Sequence, residues 1–273
     1  MTKIGEQSLL TGSVPKQLIA FSLPFLAANV LQSVYAVVDM IIVGQFVGSA
    51  GLSGVSVGSQ IASLFTSTGM GLSMGGQMML AQYKGAGDEG AQKESIGTML
   101  TFMLLLGLAL SIPCVVLAKP LLNLLNTPGE SYRDAFWYFL ISALGIVFIF
   151  GYNSVCAVLR GLGDSKRPMY FVGISTVLNI ALDLLLVGPM KLGAAGAAAA
   201  TILAQGVSFL LALVYLYRHR ESFVFDFRRS SFRIVPERLR TMLKVGVPFA
   251  LQFSMLMISM LFVVALVNGF GVT

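Results

Sequence analysis

The stretch Leu18–Val43, LIAFSLPFLAANVLQSVYAVVDMIIV, carries a single charged side chain, Asp39. It is longer than the roughly 20 residues that an α-helix needs to cross about 30 Å of hydrocarbon. It is also too long for the apolar region of a secretory signal peptide, and no small-residue cleavage motif follows it. The stretch therefore predicts a membrane-spanning helix that is retained in the mature protein.

The composition of the whole chain agrees with a membrane protein. Its 273 residues are 56% hydrophobic and 11% charged, with a mean hydropathy of +0.84, whereas about a quarter of the residues in a soluble domain are charged. The net charge of +6 accompanies this apolar composition. We therefore interpret the basic excess as a signal of membrane topology and exclude a nucleic-acid-binding surface.

Seven apolar runs predict an all-α, polytopic membrane protein. None of them alternates over ten-residue blocks, as the strands of an outer-membrane barrel do. The predicted spans are Leu18–Val43, Val55–Gln82, Ile96–Leu117, Phe136–Val158, Met169–Pro189, Ala194–Tyr217 and Val245–Phe270.

The distribution of Lys and Arg predicts the orientation. Of the 18 basic residues, only Lys119, Arg133 and Lys191 fall on the side opposite to the N-terminus. By the positive-inside rule we expect a multi-pass protein of the cell's inner (plasma) membrane with a cytoplasmic N-terminus. Eight basic residues lie in Arg218–Lys244, which we interpret as a cytoplasmic linker.

The sequence after the linker resembles the first helix. Leu23-Pro24-Phe25-Leu26-Ala27 returns as Val247-Pro248-Phe249-Ala250-Leu251, and residues 42–46 match residues 266–270 at the same shift. Chance similarity between apolar helices is the alternative. A true repeat predicts two parallel six-helix lobes: a first lobe at residues 1–217, the linker at 218–244, and the first helix of an incomplete second lobe at 245–273. Twelve helices are then expected in the full-length protein.

Only two acidic residues lie inside the predicted spans, Asp39 and Asp183. An ionised carboxylate at the bilayer centre costs on the order of 2.5–3.5 kcal/mol on insertion scales, so such residues are commonly functional. The alternative is that each aspartate only caps a helix end or hydrogen-bonds a neighbouring helix.

Polar side chains surround both acids at helical spacing, and no basic residue lies within a predicted span to pair with them. Uncharged oxygen ligands suit Na⁺, and a desolvated carboxyl beside a like charge suits H⁺. The polar residues near Asp39 are Gln32 and Tyr35, those near Asp183 are Thr176 and Asn179, and Asn153, Thr201 and Gln205 lie on other spans.

Three further features receive other interpretations. Pro24 removes a backbone hydrogen bond from the first helix and permits a kink there.

Gly161-Leu162-Gly163-Asp164 matches the GxGD sequence of aspartyl intramembrane proteases, but Ser165-Lys166-Arg167-Pro168 follows at once. Asp164 is therefore expected in a turn that starts the fifth helix. Because the sequence contains no Ser/His/Asp set, metal cluster or phosphate loop, we predict that the protein is not an enzyme and has no cofactor.

Six motifs in order resemble the multidrug and toxic-compound extrusion (MATE) transporters over nearly the whole chain. They are Leu23-Pro24, Tyr35-x-x-x-Asp39-x-x-x-Val43-Gly44, Ala81-Gln82-x-x-Gly85-Ala86-x-Asp88, Arg160-Gly161-x-Gly163-Asp164-Ser165, Asn179-x-x-x-Asp183 and Gly193-x-x-Gly196-Ala197-Ala198-x-Ala200-Thr201.

This resemblance implies a monomeric, V-shaped antiporter that exports organic cations and drugs by alternating access, coupled to Na⁺ or H⁺. It implies cation-site residues at Tyr35, Asp39, Asn153, Asn179, Asp183 and Thr201, of which Asp39, Asn179, Asp183 and Thr201 would hold Na⁺. It also implies bending of the first helix at Pro24. We expect Gln32, Thr176 and Gln205 to line a substrate cavity.

Several alternatives remain at this stage. Val263 stands where the repeat places the equivalent of Asp39, so the chain resembles the branch of the family whose coupling acids are confined to the first lobe. A lipid-linked-sugar flippase of the same superfamily is the nearest rival, although it would favour basic residues in its cavity. The other alternative is a fragment that does not function without its second lobe.

Overall fold

The computed structural model describes residues 13–268, and these residues form helices and connecting turns. The predicted end of the seventh span at Phe270 and the basic residue Lys3 lie outside this range. Because the helical run Val14–Ala86 is interrupted at Gly48, we divide it into two helices. The helices are α1 (Val14–Gly48), α2 (49–86), α3 (Glu89–Leu124), α4 (Gly129–Gly161), α5 (Lys166–Leu186), α6 (Gly193–Arg218) and α7 (Pro236–Asn268).

The break between α1 and α2 is a single residue. Gly48 has φ 85° and ψ −173°, a combination that residues with a Cβ rarely adopt. The backbone through Pro24 keeps helical dihedral angles, because Gly48 is the one residue in Val14–Ala86 that departs from them. The interruption in this part of the described chain therefore lies between the predicted spans Leu18–Val43 and Val55–Gln82, whereas the chain at Pro24, where a kink is expected, stays helical.

Six of the helices are long and apolar enough to cross a membrane, so the chain is a multi-pass membrane protein. The exception is α2, which is helical over the whole predicted span Val55–Gln82 but is rich in Gly, Ser and Thr. These small residues serve close packing. A Cβ on Gly54 would lie 2.9 Å from the carbonyl oxygen of Ser131 on α4, and one on Gly75 would overlap that of Met242 on α7.

The linker is shorter than its polar composition suggests. Helix α7 begins at Pro236, whereas the predicted span begins at Val245, because a proline and then Glu237 favour a helix N-terminus. A short 3₁₀ helix, Arg229–Phe232, lies between α6 and α7. The expected start of the fifth helix is confirmed, since Asp164 Oδ1 accepts a hydrogen bond of 3.1 Å from the backbone N–H of Arg167.

Helix α7 packs against α2 and leaves much of its apolar surface exposed. The hydroxyl groups of Thr68 and Ser254 are 3.0 Å apart across this contact. Helix α4 also packs against α2, and it has the most buried apolar segment of the six candidate spans. The interior formed by α1, α4, α5 and α6 contains the site described next.

Candidate cation site

The two membrane aspartates meet in the interior of the bundle. Asp39 on α1 is 7% exposed, and Asp183 on α5 is fully buried. Their carboxyl groups interact electrostatically with each other. Two helices that are distant in sequence therefore bring the only acids of the predicted spans to one place.

Thr201 on α6 joins the polar groups that surround the acids. Its Oγ1 accepts a hydrogen bond of 3.3 Å from Asn179 Nδ2, and it lies 3.4 Å from the hydroxyl oxygen of Tyr35. Tyr35 and Asn179 each precede an aspartate by four residues, so one helical turn places each beside its acid. The site is thus built by three helices that converge on one hydroxyl group.

The site holds more hydrogen-bond acceptors than donors. Five buried oxygen atoms have no hydrogen-bond partner among the described residues: Asp39 Oδ1, Asp183 Oδ1, Asp183 Oδ2, Asn179 Oδ1 and Gln205 Oε1. Elsewhere in the described chain, the same condition affects only three serine hydroxyls. Buried acceptors without donors are costly, so this cluster is suited to a bound species that offers positive charge.

Within residues 13–268, no basic side chain pairs with either acid. Neither Asp39 nor Asp183 takes part in an ion pair among the described residues. Carboxylates, an amide oxygen and a hydroxyl oxygen are ligands that hard cations prefer. Asp39, Asn179, Asp183 and Thr201 have the chemistry to hold Na⁺, and the carboxylates alone have the chemistry to hold H⁺.

A cavity of about 100 Å³ opens beside Tyr35, Asn179 and Thr201. We call it the first cavity. Gln32, Thr176 and Gln205, which sequence analysis assigns to a substrate cavity, all line it. The structure therefore brings eight of the nine predicted cation and cavity residues to the acid pair or to the cavity beside it.

Asn153 is the residue that the structure places elsewhere. Its side-chain amide donates a hydrogen bond of 2.9 Å to the carbonyl oxygen of Ile149 on its own helix. It lines a second cavity of about 60 Å³, which shares Gln32, Tyr152 and Val172 with the first. Asn153 is thus a neighbour of the first cavity and not of the acid pair.

Two residues near these cavities escape sequence analysis. Tyr138 on α4 is 6% exposed, its hydroxyl lies next to Thr201, and it interacts electrostatically with Asp39 and Asp183. It belongs to the aromatic run of residues 136–139, so no polar spacing distinguishes it. Arg160, which lies two residues after the end of the predicted fourth span, is in the last turn of α4 and lines the second cavity.

Comparison with known proteins agrees with this architecture. The MatE family model matches residues 24–185, more than half of the chain. The chain belongs to the MATE family. The probable multidrug resistance protein YpnP of Bacillus subtilis (strain 168), a MATE relative of this chain, is 34% identical over 262 residues, which cover 95% of this chain and 58% of YpnP.

Solved MATE structures have the same fold. An outward-facing multidrug resistance MATE transporter of the MOP superfamily matches with a TM-score of 0.88 and 27% identity, over 96% of this chain and 57% of that one. A MOP superfamily transporter from Pyrococcus furiosus, described as having a binding pocket of reverse polarity that suggests a different function, matches with a TM-score of 0.87 and 28% identity over the same shares. The chain spans just over half the length of each of these proteins.

Proposed function

We propose that this chain forms the coupling-ion lobe of an antiporter that exports organic cations and drugs in exchange for Na⁺ or H⁺. The observation that carries the proposal is the cluster of five unpartnered buried oxygens around Asp39 and Asp183. Membership of a family with multidrug resistance proteins supports the export direction. The basic excess on the N-terminal side supports a plasma-membrane location with a cytoplasmic N-terminus.

The cation acts by compensating charge that the protein leaves uncompensated. With the site empty, two carboxylates repel each other and the surrounding oxygens lack donors. A bound Na⁺ or H⁺ removes both penalties and draws α1, α5 and α6 together around Thr201. A substrate that favours the other arrangement of the helices then competes with the cation through one two-state equilibrium, which is the thermodynamic basis of antiport.

The decisive experiment compares two charge-neutral variants in the complete protein. Asp39→Asn and Asp183→Asn keep the size of each side chain and remove its charge. We expect both to abolish ethidium efflux from vesicles energised by a Na⁺ gradient or, separately, by a pH gradient. Glu221→Gln, which removes an exposed acid of the linker, is the matched control and should export normally. Normal efflux by either aspartate variant would refute the assignment.

A lipid-linked-sugar flippase is the second candidate, and Arg160 is the observation that favours it. A guanidinium that borders a cavity suits a pyrophosphate, and it is the one Lys or Arg among the residues that line the two cavities. Transport assays with ethidium and with a fluorescent lipid-linked sugar, in the same vesicles, separate the candidates. We expect transport of ethidium alone, and we expect transport to need a second lobe supplied by the complete protein.

A further inference from the structure

Polar side chains continue from the acid pair through both cavities. On α1, Asn29, Gln32, Tyr35 and Asp39 recur every three or four residues and share one face. Asn29 and Gln32 line the second cavity, and Gln32 also lines the first. At 1.5 Å per residue, Asn29 lies about 15 Å along α1 from Asp39. The polar track therefore extends over roughly half the thickness of the hydrocarbon.

Arg160 lies at the end of this track that is remote from the acids. Its Nε donates a hydrogen bond of 3.0 Å to Gln77 Oε1 on α2, and its guanidinium lies 5.8 Å from the centroid of the Phe25 ring. Among the described residues no acid forms an ion pair with it. Its place in the last turn of α4 suits the helix dipole, but the dipole does not explain why the side chain borders a cavity.

The partners of Arg160 hold it without neutralising it. A glutamine amide and an aromatic ring fix the position of the guanidinium and leave its positive charge intact. No buried ion pair must be broken to displace it, so the cost of movement is modest. A positive charge held at the side of a narrow cavity repels cations, as an arginine does in channels that exclude them.

We infer that the two cavities form a cation path inside this lobe, from the Asp39–Asp183 pair to the cytoplasm, and that Arg160 is the electrostatic barrier at its inner end. The inference rests on the proposed function for the identity of the cation. It adds a route by which the coupling ion moves between the acid pair and the cytoplasm through the two cavities, and it makes Arg160 the charge that prevents uncoupled leak.

Helix α1 connects the barrier to the acid pair. Phe25, which contacts Arg160, and Asp39 lie on this one helix. Pro24 immediately precedes Phe25 and removes a backbone hydrogen bond there. A movement of α1 that follows cation binding at Asp39 therefore shifts the ring against which the guanidinium rests. Helix α1 therefore links cation binding at the acid pair to the position of the Arg160 guanidinium.

The test is a leak measurement on the complete protein in vesicles without any drug substrate. Uptake of radioactive Na⁺ down a Na⁺ gradient, and acidification of a trapped dye by a pH gradient, are recorded separately. We expect Arg160→Gln to conduct one of these cations about tenfold faster than the unaltered protein, equivalent to a barrier lowered by about 1.4 kcal/mol. Arg160→Lys, which keeps the charge, should remain tight.

Three variants make the test specific. Arg220→Gln removes an exposed arginine that stacks on Tyr217 at 5.3 Å and lines neither cavity, so it should not leak. Phe25→Ala frees the guanidinium without removing its charge and should give a smaller leak than Arg160→Gln. The double variant Asp39→Asn/Arg160→Gln should be tight again, because the path begins at the acid pair.

Three results would each overturn the inference: no leak in Arg160→Gln, an equal leak in Arg220→Gln, or a leak that persists in the double variant. The proposed function fails by a different result, normal ethidium export by Asp39→Asn. Because the leak assay contains no ethidium, the two failures are distinguishable.

Discussion

Asp183 in the membrane interior and Asp226 in the linker are the same chemical group in opposite environments. Asp226 accepts hydrogen bonds from Lys93 Nζ at 2.8 Å and from the backbone N–H of Arg228 at 3.3 Å. The hydrogen bond from Lys93 contributes most to holding its pKa well below the ordinary value. Asp183 is fully buried, and neither of its oxygens has a donor among the described residues.

The two aspartates differ in whether the protein itself supplies partners for the carboxyl group. The partners of Asp226 satisfy its charge, so its place in the protein is explained by attaching the linker to α3. An ionised Asp183 would cost folding free energy where it stands, because its charge would be buried and uncompensated. The proposed cation at the site would compensate that charge. The predictions below test this difference, beginning with the largest effect.

Replacing Asp183 should have opposite effects on activity and on stability. Asp183→Asn should eliminate coupled efflux and leave the melting temperature unchanged or higher, because a buried and unpaired charge is removed. Efflux assays and thermal unfolding in detergent, at a pH where the acid is ionised in the unaltered protein, measure the two quantities. A large fall in melting temperature would indicate that Asp183 serves packing alone.

Thr201 should affect the affinity for the cation more than it affects the fold. Thr201→Val keeps the shape of the side chain and removes the hydroxyl that contacts Asn179 and Tyr35. Loss of hydrogen bonds worth about 0.5–1.5 kcal/mol each should weaken cation binding about tenfold. Thr201→Ser retains the hydroxyl and should bind nearly as well as the unaltered protein. Equal affinities in the valine and serine variants would remove Thr201 from the site.

The MATE resemblance implies that Asn153 belongs to the cation site, whereas the structure places Asn153 away from the acid pair. Because its amide bonds to Ile149 on its own helix, Asn153→Ala should change cation affinity by less than about threefold. Asn179→Ala, which removes an oxygen beside the acids, should weaken it by more. Titration of both variants with the coupling cation provides the measurement. A larger effect from Asn153 would place it at the acid pair.

Asp226 should have the smallest effect on transport. Asp226→Asn should leave efflux unchanged and make the linker more susceptible to trypsin at Arg228 and Arg229. Because the pKa is lowered in the folded protein, the stabilisation by Asp226 is present above the ordinary value of 3.8 and is lost only as the pH falls below it. The rate at which trypsin cleaves the linker of the unaltered protein should therefore show no pH-dependent change near neutral pH that is due to Asp226. Impaired efflux in the variant would give the linker a role in transport.

The sequence predicts most of the site because helical periodicity relates residues on one helix. Tyr35 to Asp39 and Asn179 to Asp183 are each one turn apart, and the rarity of charge in the membrane singles out the two acids. Periodicity does not relate residues on different helices. The position of Tyr138 next to Thr201, and that of Arg160 over Phe25, depend on how α4 packs against its neighbours.

In the fold, too, some features can be predicted from the sequence pattern and others cannot. Hydropathy predicts α5 and α6 to within three residues at each end, and it predicts spans for α1, α3 and α4 that are shorter than the helices by up to seven residues at an end. Small residues in α2 mark where other helices approach. Hydropathy does not locate Pro236 as the start of α7, because helix capping and not apolarity decides that boundary. It does leave residues 44–54 outside the first two predicted spans, and Gly48, where a positive φ that favours glycine ends α1, lies inside that gap.

The central claim is that Asp39 and Asp183 bind the coupling cation directly. Binding of Na⁺ and uptake of H⁺ by the purified complete protein, measured without substrate by calorimetry and by proton titration, test it most directly. The account predicts that one of these cations binds the unaltered protein and Glu221→Gln alike, and that binding is lost in both Asp39→Asn and Asp183→Asn. Undiminished binding in either aspartate variant would contradict it.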